Sequence, residues 1–144
     1  MDIKKMSDSL IVVSTLLWAV CCVLAWNALY LEALWLGVLI IGIYLTLGMA
    51  KNGFLPVKIF IYPILIWAII WIGGFWGADY LAAAYRGVRP PYTILGMHPS
   101  FAVIVFTYWV GGIVTIALGF LCFRDEWLSK KDWNAFCEKM QKLR

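Results

Sequence analysis

Uncharged apolar runs alternate with short polar breaks along this chain, and the breaks fall at intervals that suit repeated crossing of a bilayer. From Leu10 to Leu31, Ala33 to Ala50, Ile59 to Ala78 and Ser100 to Phe123 there is no Asp, Glu, Lys or Arg. Each run is close to the ~20 residues that a helix needs to cross a hydrocarbon core about 30 Å thick. The pattern predicts spans over Leu10–Tyr30, Ala33–Ala50, Ile59–Ala78 and Ser100–Phe123. The first run is much longer than the apolar core of a signal peptide. Trp18, Trp26 and Tyr30 also stand where small cleavage-site residues would be needed, so it reads as a retained span.

The links are short. Glu32 marks a very tight connection, which makes the first two spans an antiparallel hairpin. Lys51, Asn52, Gly53, Pro56 and Lys58 form the next turn. Pro63, early in the third span, is tolerated if the helix starts beside it and kinks the helix otherwise. The longest link, Asp79 to Pro99, is also the most polar on its side. Tyr80–Tyr85 is expected to extend the third helix or form a short surface helix, and Gly87, Pro90 and Pro91 end it. Leu95, Met97 and Phe101 make this loop apolar enough to lie on a membrane surface or against a partner.

Small residues mark where helices can approach closely. Gly73 and Gly77, four apart, are expected to face a helix. Gly37 and Gly42 do the same for the second span, with Gly48 beyond them. Gly111, Thr115 and Gly119 form the face best suited to pack on the third span. Trp67, Trp71 and Trp76 recur about one turn apart and read as a packing or lipid-facing stripe, in preference to the lining of a ligand site.

Beyond residue 123 the period changes. Ser129 and Asp132 are spaced for a capping box. Trp133, Phe136, Met140 and Leu143 then share one face, while Lys131, Glu138, Lys139 and Lys142 lie elsewhere, as in an amphipathic helix. With Trp127 as an interface residue, that apolar face is expected to be buried, on the membrane with its bases toward anionic headgroups or on a partner protein. The chain divides into a four-span domain, 1–123, and a tail, 124–144.

Composition agrees: 64% of the 144 residues are hydrophobic and 14% charged, against about 25% charged in soluble domains. Four spans with short links use nearly all of this length, which leaves no room for a soluble catalytic domain. The net charge of +4 comes from bases beside the spans, so it points to topology and not to nucleic acid. Of the 12 Lys and Arg residues, only Arg86 and Arg89 fall on one side, and the other ten share the side of both termini. By the positive-inside rule both termini are cytoplasmic. The fold class is therefore an all-α integral membrane protein, with four transmembrane helices in N-in/C-in topology and a C-terminal amphipathic cytoplasmic helix. The compact size and charge bias fit a multi-pass protein of a cell membrane of the bacterial inner-membrane kind.

Candidate chemistry is sparse. No span carries a charge well inside it, which argues against a self-sufficient proton-coupled carrier. Cys21, Cys22, Cys122 and Cys137 lack metal or redox spacing and read as small hydrophobes. His98 is the single histidine, so paired haem ligation within the chain is excluded, and no metal site is assigned. The identity of any cofactor stays open. Ser100 lies near His98, but the orienting acid of a hydrolase is missing apart from Asp79. Asp79, Arg86, Arg89 and His98 form the one polar cluster outside. They are either solvated at headgroup level or a contact for a partner or an anionic ligand, with the arginines as donors. Asn27, the sole amide of the first span, reads as a headgroup or helix contact before a substrate contact.

In size and plan the chain resembles the small four-span subunits of binding-protein-dependent secondary transporters. The likeness rests on topology, and it implies no residue role and no substrate. The expected function is an accessory or structural subunit of a larger membrane complex, most simply a transporter, that stabilises or regulates the main subunit. The alternatives are a self-assembling homo-oligomeric transporter or channel and, behind it, a membrane enzyme or redox-complex subunit. The topology has a direct test: a cysteine introduced by Arg89→Cys should react with a membrane-impermeant thiol reagent added from outside intact cells. Labelling only after permeabilisation would invert the orientation.

Overall fold

A computed structural model describes residues 5–50 and 53–142. It is all-helical apart from one isolated two-residue bridge. Four helices are long and apolar enough to cross a membrane: α1 Ser7–Trp26, α2 Tyr30–Met49, α3 Val57–Ala84 and α4 Pro99–Cys122. Two short helices follow, α5 Arg124–Trp127 and α6 Lys130–Lys142. At ~1.5 Å per residue, the 20 residues of α1 and of α2 match the apolar thickness that they must cross. The helices pack in chain order, α1 on α2, α2 on α3 and α3 on α4.

The first connection falls earlier in the chain than the sequence suggests. Glu32 lies within the first turn of α2, and the link is only Asn27, Ala28 and Leu29. Leu29 N–H donates to the Leu24 carbonyl (3.0 Å) and Ala28 N–H to the Ala25 carbonyl (3.1 Å). This is the Schellman closure, with Ala28 at φ 61° where glycine is usual. Across the hairpin, Ser14 is fully buried. Its hydroxyl donates to the Ile11 carbonyl (2.8 Å) and lies 3.3 Å from the Tyr44 hydroxyl. Cys21 Sγ reaches the Ala33 carbonyl at 3.5 Å. Ser14 is the one fully buried residue of α1, and α1 packs chiefly along α2.

The turn before α3 is apolar inside. Leu55 is fully buried with Met49, Ile59 and Ile64, and Phe120 and Phe123 pack against them. Within α3, Tyr62 leaves helical geometry (φ −130°, ψ 114°) ahead of a cis bond to Pro63. Pro63 has no N–H to continue the ladder, and the kink falls there. The break turns the Tyr62 hydroxyl toward α4, where it donates to the Val114 carbonyl at 2.8 Å. The Tyr62 ring meets Phe123 edge-on at 6.2 Å.

α4 itself is wound in wide, π-type turns over Val105–Val110 and Ile113–Ala117, on either side of Gly111 and Gly112. Its small-residue face lies on α3. A methyl at Gly119 would come within 2.6 Å of the Pro63 ring, and one at Gly111 within 2.9 Å of Ile70 Cγ2. On α3 the close approach is made by Gly74, where a methyl would overlap the Thr107 side chain. Gly73 is exposed and a methyl there would meet nothing within 4 Å, so the expectation for this residue is corrected. One residue is ~100° around a helix, and Gly74 is the one aimed at α4. Gly77 makes only an ordinary contact, 3.7 Å from Val103. Gly37, Gly42 and Gly48 likewise face open space, because α2 meets its neighbours through larger side chains.

The core between α2, α3 and α4 is aromatic. Trp67 is 2% exposed and clusters with Val38 and Phe75. Trp71 stacks on Tyr108 (4.1 Å between centroids) and tilts against Trp67 (4.6 Å). Trp35 Nε1 donates to the Ile72 carbonyl at 3.2 Å. Trp76 is outside this set, exposed and stacked on Tyr80.

Replacing Gly74 or Gly119 by alanine should destabilise the protein by about 1–3 kcal/mol, the usual cost of overpacking. Gly73→Ala and Gly37→Ala should be neutral or slightly stabilising, since alanine is the better helix former. Thermal unfolding in a mild detergent compares the four.

Candidate functional site

The polar loop between α3 and α4 is built back from the end of α3. The helix continues through Ala84 and stops at Tyr85, and Gly87 turns the chain at φ 72°. Arg86 and Arg89 therefore lie beyond the helix and share no helical face, and both are exposed. After Pro90 and Pro91 a two-residue turn pairs Ile94 with Met97, with N–H to carbonyl distances of 3.1 and 2.9 Å. Leu95 (φ 51°) and Gly96 (φ 77°) supply the two positive torsions that such a hairpin turn requires. Leu95 is 82% exposed at its tip.

His98 closes the loop as the N-cap of α4. Its Nδ1 accepts from the Ser100 backbone N–H at 3.3 Å and lies 2.8 Å from Ser100 Oγ. An accepting Nδ1 places the ring proton on Nε2. Pro99 occupies the first helical turn, where its missing N–H costs nothing. The ring of Tyr85 meets both His98 (6.1 Å) and Tyr92 (6.3 Å) edge-on, which pins the loop to the end of α3. Burial first, then a hydrogen bond with Tyr92, pushes the Tyr85 phenol above its usual range. The phenol thus stays neutral wherever the ordinary form would.

Asp79 lies on a different surface. It lines a crevice of about 330 Å³ between the ends of α2, α3 and α4 beside the α3–α4 loop, with Tyr30, Phe75, Ser100 and Phe101. Ser100 both lines this crevice and touches His98. The four polar residues of this region thus separate: Asp79 is in the crevice, His98 is in the cap, and the two arginines are exposed on the loop. Asn27 bonds back to its own helix, Nδ2 to the Val23 carbonyl at 2.8 Å, so a local role accounts for it. Among the described residues no three His, Cys, Asp or Glu side chains come together as metal ligands.

Two polar features of the interior are not legible from residue types. Trp71 Nε1 is buried with no hydrogen-bond partner among the described residues. An unpaired donor costs about 1–3 kcal/mol, while aromatic pairs such as Trp71–Tyr108 return about 0.5–1.5 kcal/mol each. Stacking on both Tyr108 and Trp67 offsets the loss. Thr107 and Thr115 turn their hydroxyls back to Val103 and Gly111 carbonyls, at 2.7 and 2.6 Å, and so offer no polar path across the bundle.

At the other end, Ser129 and Asp132 form the predicted box: Ser129 N–H and Oγ donate to Asp132 Oδ2 at 3.1 and 2.6 Å, and Asp132 N–H donates to Ser129 Oγ at 3.3 Å. On α6, Trp133 and Phe136 are each 53% exposed and Met140 49%, with the two rings 5.8 Å apart. The expected buried face is thus largely uncovered in the single chain, because the four-helix bundle does not extend over α6. Leu143 and the side chain of Trp127 lie outside the described residues.

No protein-family model, curated protein or solved structure matches the chain.

The cap assigned to His98 has a clear test. His98→Ala should cost about 1 kcal/mol, the worth of a side-chain N-cap, and His98→Asn, which keeps an acceptor, should recover most of it. Equal loss in both variants, measured by thermal unfolding, would mean that the ring contact with Tyr85 is what matters.

Proposed function

We propose that the chain is a non-conducting accessory or structural subunit of a larger membrane complex, most simply a transporter, held in a cell membrane with both termini cytoplasmic. The observation that carries this reading is the apolar, aromatic packing across the bundle. Trp67, Trp71, Phe75 and Tyr108 pack together between α2, α3 and α4. The Asp, Glu, Lys and Arg residues of the four long helices sit in their end turns or, for Asp79, near the outer end of α3. A pathway for a polar solute or an ion needs water, charges or free carbonyls along its length, and the described residues of this bundle line none of their own. A transport path would belong to another chain.

The uncovered surfaces support the same reading. α1 buries a single side chain, and the aromatic face of α6 is open. In the complex, α6 is assigned to the cytoplasmic boundary, where its lysines meet anionic headgroups and its aromatic face meets either lipid or the main subunit. The outer loop, with Arg86, Arg89 and Leu95 exposed, is the counterpart on the far side.

Purification from the native host in a mild detergent tests this directly. A larger membrane protein should co-purify in fixed ratio, and its type names the complex. A particle built only of this chain would replace the accessory role with a self-assembling transporter or channel.

A further inference from the structure

We propose that the crevice between the ends of α2, α3 and α4 binds a small organic cation, an ammonium group carried on an apolar or aromatic body, with Asp79 as its counter-ion. The inference goes beyond the accessory-subunit reading and does not depend on it. Asp79 belongs to the lining of the crevice itself, and α3 contributes Phe75, Ala78 and Ala82 beside it. Those four positions have the i, i+3, i+4, i+7 spacing of a single helix face, so the carboxylate sits on the face that α3 turns to the crevice. Ala78 and Ala82 carry only methyl groups, which leaves room on either side of it.

Its size suits a short molecule. The volume of about 330 Å³ is at the lower end of the ~300–1,000 Å³ of small-molecule sites. From Phe75 to Ala82 the stripe on α3 is about 10 Å long at ~1.5 Å per residue. Phe75, at the inner end, is part of the buried core. Tyr30 of α2 and Phe101 of α4, both exposed, line the crevice from the other two helices.

Charge identifies the ligand. Asp79 is the one charged residue of the described lining, and among the described residues it has no ion pair and no hydrogen-bond partner. No described Lys, Arg or His lines the crevice, and Arg86 and Arg89 lie beyond the helix end at Tyr85. A phosphate or a zwitterionic headgroup would thus meet a carboxylate with no base beside it. A hard metal ion takes about six oxygen ligands, whereas the side-chain oxygens of the lining are those of Asp79, Tyr30 and Ser100, and the Ser100 hydroxyl is already engaged with His98 at 2.8 Å. What fits is a monovalent cation that brings its own apolar surface to Leu31, Leu34 and Ile104. The rings of Tyr30, Phe75 and Phe101 share the lining with the carboxylate, and aromatic faces attract ammonium groups.

The probe is benzyltrimethylammonium, set against neopentylbenzene, its uncharged isostere, and benzylsulfonate, an anion with the same aryl body. Fluorine NMR of the full chain in a nonionic maltoside detergent, with 4-fluorophenylalanine placed at residue 101, reads occupancy. The cation should shift the signal saturably, and the other two should not. Asp79→Asn should weaken binding by about fivefold, and Tyr30→Leu by about threefold. Asp79 is exposed and unpaired among the described residues, so Asp79→Asn should leave thermal unfolding unchanged. Equal binding of either control compound by the wild-type chain overturns the proposal without any variant, and so does an Asp79→Asn chain that binds the cation as tightly as the wild type. A benzophenone side chain at residue 34 that captures a polypeptide in native membranes would give the crevice to a partner protein and overturn it as well.

Discussion

The seam between α3 and α4 holds the rest of this structure in place, and it depends on two close approaches that tolerate no added atom. Near one end the Pro63 ring seats against Gly119, and near the other Thr107 seats against Gly74. In a bilayer the gain from hiding apolar surface is small, since lipid is as apolar as leucine, so backbone proximity and the dispersion it allows decide which helices pair. The seam also places the aromatic core: with α3 and α4 this close, Trp71 is brought face to face with Tyr108. The kink at Tyr62 belongs to the same contact, since it carries the hydroxyl to the Val114 carbonyl and the Pro63 ring to Gly119.

Against that seam, α1 is an outrigger. It packs chiefly along α2, and its polar ties there include a hydroxyl, a thiol and a three-residue link with Ala28 at a positive φ. Left-handed geometry costs a non-glycine residue about 1–2 kcal/mol, and such strain persists only if both helices are held by something else. In a membrane much of that holding is done by the boundaries: apolar helices of 20 residues cannot separate far without leaving the bilayer.

The sequence states the spans because charge is excluded from hydrocarbon, and an uncharged run of that length is rare in a soluble domain. Its ends shift by a few residues, as at Glu32, which the pattern of charges puts in a link and the backbone puts in a helix. The capping box at Ser129 and Asp132 was legible because it is local. Which glycine faces a neighbour was not: Gly73 and Gly74 are equivalent in composition, and only the rotation of α3 about its axis, set by α4, chooses between them. Leu55 and the Trp35 bond to Ile72 were hidden for the same reason, as they depend on contacts between distant parts of the chain. The polar residues around the α3–α4 loop looked like one cluster because they are close in sequence, but Asp79 stays within α3, the helix stops at Tyr85 ahead of the arginines, and His98 caps α4.

The distribution of polar groups gives the last constraint. Where a polar atom lies inside the bundle it is turned back on its own helix, as with Thr107 and Thr115, or spent on a helix junction, as with Tyr62 and Trp35. Even the unpaired Nε1 of Trp71 is enclosed by rings and is not offered to a solute. A protein that moved a polar substrate through itself would have to leave some of these groups unspent along a continuous line. Here the charged groups of the described residues lie toward the two ends of the bundle, among them those on the α3–α4 loop and on the tail, while the length between them is apolar. On the proposed accessory role, that division puts specific recognition by this chain at the membrane boundaries and leaves the helices between to be recognised by lipid or by other helices through shape.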